Sequence, residues 1–148
     1  MIEPLPHRRV AMSILASLAA SLALSACQSF GTSEFSLPTG KDPQVREVVA
    51  AWALEHGLQP CAGWDVRVEG SDSCFGGRVE PLAVTAVTQP AGDRYLVRIG
   101  VYASGVGHGS AIDRLNDEIR TRLEPLFEPG RVTVRQVPAP MQVQRING

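Results

Sequence analysis

Arg94-Tyr95-Leu96-Val97-Arg98-Ile99-Gly100-Val101-Tyr102 is the stretch that decides the fold class. Tyr95, Val97, Ile99 and Val101 alternate with Arg94 and Arg98, the period of two that marks a half-buried strand. Just upstream, Leu82 to Thr88 is more uniformly apolar, as a central strand is. Gln89-Pro90-Ala91-Gly92-Asp93 joins the two with the proline and glycine of a hairpin turn. Downstream the period changes. Ile112, Leu115, Ile119 and Leu123 recur at helical spacing and form a stripe to bury. Ser110 can cap this helix, with Asp113 three residues on in an approximate capping box. Acids early and Arg120 and Arg122 late suit the helix dipole, and Pro125 stops the helix. After Pro129-Gly130, Val132 and Val134 alternate with Arg131, Thr133 and Arg135 as a final strand.

Working back from the hairpin, Trp64, Val66 and Val68 alternate with Asp65, Arg67 and Glu69 as another strand. Before it comes a helix with Asp42 as its cap, Pro43 in its first position and Gly57 past its end. Val45, Val48, Val49 and Trp52 share one face of that helix, while His56 closes its last turn. The order is then α-β-β-β-α-β. It predicts an α+β, two-layer sandwich: a four-stranded mixed sheet covered on one face by two helices. The first strands form an antiparallel meander, and the chain from Tyr95 to Val134 makes a right-handed crossover between parallel strands. The domain occupies residues 42–137, and 138–148 form a mobile tail containing Pro138 and Pro140.

The N-terminus has a different character. His7, Arg8 and Arg9 precede an uncharged apolar run from Val10 to Leu24. A helix of about 15 residues spans roughly 22 Å, short of the roughly 30 Å of a bilayer core, which favours a signal sequence over a permanent span. The run closes on Leu24-Ser25-Ala26-Cys27, which resembles the lipobox of bacterial lipoproteins. The resemblance implies that residues 1–26 are removed and that Cys27 carries a diacylglyceryl thioether and an acylated amine. At about 0.8 kcal/mol for each buried CH₂, several chains hold a protein on a membrane without insertion. Gln28 is not the aspartate that commonly retains such proteins at the inner membrane, so the resemblance implies a cell-envelope address. An outer-membrane anchor facing the periplasm is the expectation. Residues 27–41, with Gly31, Ser33, Pro38 and Gly40, then serve as a lipidated N-terminus and flexible tether. The alternative is an ordinary secretory signal whose cleavage site happens to hold a cysteine.

Composition narrows the function classes. Fourteen basic and fifteen acidic residues nearly balance, which leaves no electrostatic case for nucleic acid. With Cys27 given to lipid, Cys61 and Cys74 remain, and in an oxidising compartment their default state is a disulfide. It closes a loop of about 14 residues, worth roughly 3 kcal/mol in the chain-entropy model. The pair is not Cys-x-x-Cys, and no nearby histidine completes a metal site.

One segment invites a chemical reading. Gly105, Gly107, His108, Gly109 and Ser110 lie between strand and helix, where glycines admit a ligand to the backbone and helix N–H groups face an anion. His108 has the chemistry to donate a proton there. The motif is neither Gly-x-Gly-x-x-Gly nor a Walker loop, and Ser104 and Ser110 do not form a nucleophile elbow. A plain flexible turn accounts for the same residues. No pair of acids is placed for general acid–base work: Asp113, Asp117 and Glu124 read as a solvated helix face.

The expectation is therefore a non-catalytic, lipid-anchored envelope protein, an interaction or assembly module. It needs no cofactor beyond its lipid, and its partners are the membrane and an envelope protein or the cell wall. Such a module should carry an exposed apolar patch. The alternative is a small periplasmic ligand-binding domain or enzyme with its site at the His108 loop, where Tyr102 or Asp113 should converge on the histidine.

Overall fold

A computed structural model of the chain describes residues 28–105 and 107–146. In chain order its elements are strand β1 (Gln28–Pro38), helix α1 (Asp42–Glu55), the two-residue strand β2 (Gln59–Pro60) and a 3₁₀ turn (Cys61–Trp64). The short strand β3 (Val66–Arg67) follows, then β4 (Ser73–Val79), β5 (Leu82–Ala91) and β6 (Arg94–Ser104). Helix α2 (Gly109–Leu123), β7 (Thr133–Val137) and β8 (Gln144–Arg145) complete the fold.

The four-stranded mixed sheet expected from the pattern is not what forms. The main sheet has six strands in the order β2-β4-β5-β6-β1-β7, and every neighbouring pair is antiparallel. Strands β3 and β8 make a second, two-stranded sheet. The expected crossover does return β7 parallel to β6, but β1 lies between them and pairs with both. The strand that overturns the expectation is thus β1, drawn from the stretch assigned to a flexible tether.

Buried polar residues hide β1 in the sequence. Phe35 and Leu37 enter the core with Val97 and Tyr95 as their register partners. Thr32 and Ser33 are also buried, and each is satisfied by the C-terminal segment: the Thr32 hydroxyl donates to the Ala139 carbonyl at 2.9 Å, and Ser33 Oγ to Gln136 Oε1 at 3.0 Å. Strand β4 is equally quiet, with Gly76 and Gly77 at its centre. A Cβ on Gly77 would stand 3.2 Å from Leu58 Cδ2, so the close approach of the chain after α1 needs a small residue there.

Both helices cover the same sheet face. Val45, Val49, Trp52 and Ala53 of α1 and Leu115, Ile119 and Leu123 of α2 join Leu82, Val84, Ala86, Val97, Ile99 and Val101 in one core. Capping differs from the sequence expectation at both N-termini. Lys41 and His108 occupy the cap positions without side-chain hydrogen bonds, and Asp42 and Ser110 fall inside the first turns. The C-terminus of α1 behaves as expected. Gly57, at φ +75°, lets its N–H donate to Leu54 O and the Leu58 N–H to Ala53 O, a Schellman closure that drops Leu58 into the core. The β5–β6 hairpin also forms, with Gly92 at φ +62° in its two-residue turn.

The strand expected at Trp64–Glu69 is mostly replaced. Cys61 to Trp64 coil into a 3₁₀ turn, and Asp65 adopts a left-handed backbone at φ 54°, leaving only Val66–Arg67 extended. Residues 138–146, expected to be a mobile tail, run as a strap over the helix-free face of the sheet. Met141 packs there with Val68, Val87 and Cys74, and β8 pairs with β3.

Candidate functional site

The strap and the disulfide organise the helix-free side. Cys61 and Cys74 are bonded, with Cα atoms 5.3 Å apart, tying the 3₁₀ turn to β4. The strap leaves β7 at Val137, gives the Ala139 carbonyl to Thr32, and lays Met141 on Gly100 of β6. A Cβ on Gly100 would lie 3.1 Å from Met141 Cβ and 3.3 Å from its Cε, so glycine at 100 is what lets the strap descend. At its far end, the Ile146 N–H donates to the Asp65 carbonyl at 2.7 Å.

Between strap and sheet lies a shallow groove of about 270 Å³, floored by Ala83, Thr85 and Gly100 and edged by Tyr102, Pro140 and Met141. The small residues make the floor; the strap makes one wall. Further along the same face Glu34 is mostly buried between two arginines in register with it. Arg135 Nη2 donates to Glu34 Oε1 at 2.8 Å, and Arg98 Nε lies 3.6 Å from Oε2. This is a cross-strand charge clasp that fixes β7 and β6 against β1.

The exposed large hydrophobics among the described residues are Phe30, Leu54, Trp64, Tyr102, Val143 and Ile146. Phe30 and Tyr102 are direct register partners on β1 and β6. Trp64 and Ile146 each sit one or two residues from the β3–β8 pair, and Val143 leads into β8. Neither Phe30 nor the strap residues stood out in the sequence. The signal that could have found Phe30 is its even spacing from Thr32 and Glu34, which puts it on the face opposite Phe35 and Leu37.

The glycine loop is arranged as follows. Gly105 and Gly107 take φ +90° and +88°, backbone that glycine alone adopts easily. His108 Nε2 lies 2.9 Å from the carbonyl of Ser104 and, carrying the proton, donates to it. The imidazole therefore folds back over its own loop. Ser110 and Asp113 line an open groove of about 580 Å³ along α2 with Arg114, Asp117, Glu118, Thr121 and Arg122, and His108 is not among its walls. Tyr102 lines the groove on the other face of the sheet. Loop histidine, helix groove and tyrosine are not brought together.

Two further networks rest on the helices. Glu118 of α2 accepts from Trp52 Nε1 at 3.3 Å and stands 2.6 Å from His56 Nε2, so the histidine noted at the end of α1 joins the helices. Glu55 and Arg122 pair beside it, and that hydrogen bond holds the Glu55 carboxyl below its usual pKa. At the opposite end of α1, Asp72 accepts from Tyr95 Oη at 2.9 Å and from Arg46 at 3.3 Å. Burial raises the Tyr95 pKa above the usual 10.0.

No cluster of three or more metal-ligating side chains occurs among the described residues, and no described helix is long and apolar enough to cross a membrane. Cys27, the expected lipidation site, lies outside the described residues. The sequence matches no protein-family model and no curated protein.

Proposed function

We propose that this is a non-catalytic envelope lipoprotein, anchored through Cys27, that binds another envelope component through the helix-free side of its domain. The observation that carries the reading is where the exposed hydrophobics fall. Trp64, Val143 and Ile146 gather around the β3–β8 pair, at the junction that the disulfide and the strap hold in place. An exposed tryptophan on a braced support has low ordering cost on binding and belongs to the residue types enriched at interface hot spots. With β1 starting at Gln28, a lipid on Cys27 would set the domain directly on the membrane, with its partner within about 40 Å of it. An outer-membrane anchor facing the periplasm remains the address that Gln28 favours.

The test is site-specific photo-crosslinking in cells. A photoreactive residue at position 64 or 143 should give one discrete adduct with an envelope component, and one at Glu47, on the outer face of α1, should not. Adducts of equal yield at all three positions, or at none, would contradict the reading.

A further inference from the structure

Acylated Cys27 would be followed at once by β1, so whichever end of the sheet holds Gln28 is held at the bilayer. At about 3.3 Å per residue, Phe30 lies roughly 10 Å of chain from the anchored sulfur. Register decides what else stands at that level. Tyr102 faces Phe30, Ala83 faces Tyr102, and Ser104 faces Gln28. The opposite end of the same strands carries Pro38 and the Gly92–Asp93 turn.

The two ends treat their aromatic residues differently. Phe35 and Tyr95, on the helix-covered face, are fully buried, whereas Phe30 is 48% and Tyr102 46% exposed. Of the exposed large hydrophobics, these two alone belong to the six-stranded sheet, and they lie side by side on its helix-free face. Beyond Ala83, which separates it from Tyr102, Arg78 donates to both carboxylate oxygens of Glu80, at 2.8 and 3.2 Å. A paired arginine and glutamate neither demand anionic headgroups nor repel them.

We propose that Phe30 and Tyr102 form a membrane-contact patch whose occupant is the lipid surface beside the protein's own anchor. Phenylalanine offers an apolar ring to the acyl boundary. Tyrosine offers a ring with a hydroxyl for the wet side, the amphipathic pairing that aromatic residues bring to membrane interfaces. Anchor and patch together make a two-point attachment. The lipid fixes position and the aromatic pair fixes orientation, so the domain does not swivel on its cysteine. The inference rests on the lipoprotein reading above.

The test uses the lipidated mature protein on phosphatidylcholine vesicles with brominated acyl chains, in a Trp64→Phe background. Phe30→Trp and Tyr102→Trp place a fluorophore in the patch, and Asp93→Trp places one at the opposite end of the strands. Buried Trp52 contributes the same background to all three. Loss of fluorescence at positions 30 and 102, but not at 93, is the expected result. Quenching no greater at 30 and 102 than at 93 overturns the patch while leaving the anchor intact. Absence of acyl mass on Cys27 overturns the anchor and the patch with it. A photo-crosslinker at position 30 that captures protein instead of lipid also overturns the patch, in favour of a protein interface.

Discussion

Replacing Met141 with alanine tests whether the C-terminal strap is part of the fold. Met141 is 9% exposed and is the strap's largest inward side chain, packed on Val68, Val87 and Cys74 and lying over Gly100. Truncating a buried methionine to alanine costs about 2–5 kcal/mol. The Met141 cluster is small and sits under a surface segment that can settle, so the lower end applies, about 2 kcal/mol. For a domain of this size that corresponds to a drop in Tm of about 6–10 °C. Urea and thermal denaturation of the purified protein, with its disulfide intact, would measure the loss. Trypsin supplies a local readout, because Arg145 lies in β8 and is held by pairing with Val66. In the Met141→Ala protein, cleavage after Arg145 should accelerate more than cleavage at the helix arginines. A stability change below about 0.5 kcal/mol, with an unchanged cleavage pattern, is what a surface substitution away from any packing would give. That result would refute the strap and restore the mobile tail that the sequence pattern suggested.

Three other substitutions probe separate parts of the structure. Gly100→Val should cost about 1–3 kcal/mol through overpacking and release the strap, seen as faster trypsin cleavage after Arg145, since its Cβ would meet Met141 at 3.1 Å. Breaking the Cys61–Cys74 bond, by reduction or by the double alanine variant, should lower the urea-derived stability by about 3 kcal/mol and leave far-UV circular dichroism at neutral pH largely unchanged. Tyr95 holds its proton more tightly in the folded protein than in the unfolded chain, so its contribution is complete below pH 10.0 and declines as pH rises through the raised folded value. Tyr95→Phe, which removes the hydrogen bond to Asp72, should cost about 1 kcal/mol at neutral pH and flatten the alkaline decline in urea midpoints.

How legible the molecule was in its sequence depended on what each segment buries. Both helices could be read because Val45, Val49 and Trp52, and Leu115, Ile119 and Leu123, place apolar residues on one face of a 3.6-residue period. The β5–β6 hairpin could be read because Gly92 marks its turn and Tyr95 to Val101 alternate cleanly. Strand β1 could not. Gly31, Thr32 and Ser33 look like linker composition, and their burial depends on partners more than 100 residues away, Gln136 and Ala139. Inserting β1 between β6 and β7 is what converts the expected mixed sheet into an antiparallel one. Met141 failed to register for a similar reason: one apolar residue has no period, and its place is set by Gly100 on a different strand. Near Trp64 the alternation was real, but the disulfide at Cys61 and the left-handed Asp65 turn the chain before a strand can extend.

The candidate sites divide in the same way. The Cys61–Cys74 bond followed from pairing the two cysteines that remain once Cys27 is set aside, and it forms. The His108 loop stands out by its composition alone, and composition does not reveal where an imidazole points. It turns back to Ser104, away from the groove lined by Asp113. That Val143 and Ile146 join Trp64 in one hydrophobic surface was out of reach because strap and 3₁₀ turn meet only in three dimensions. With residues 28–38 committed to the sheet, a lipid on Cys27 would leave the domain no long leash, and any partner would have to approach the membrane.

The most direct measurement is the intact mass of the protein, and of its N-terminal peptide, after extraction from membranes of its native cells. The expected result is a chain that begins at Cys27, carries a diacylglyceryl thioether and an acylated amine, and leaves the membrane fraction when Cys27 is changed to serine. A chain that retains residues 1–26, or one that begins near Cys27 with an unmodified thiol, would contradict the anchor and the functional reading built on it.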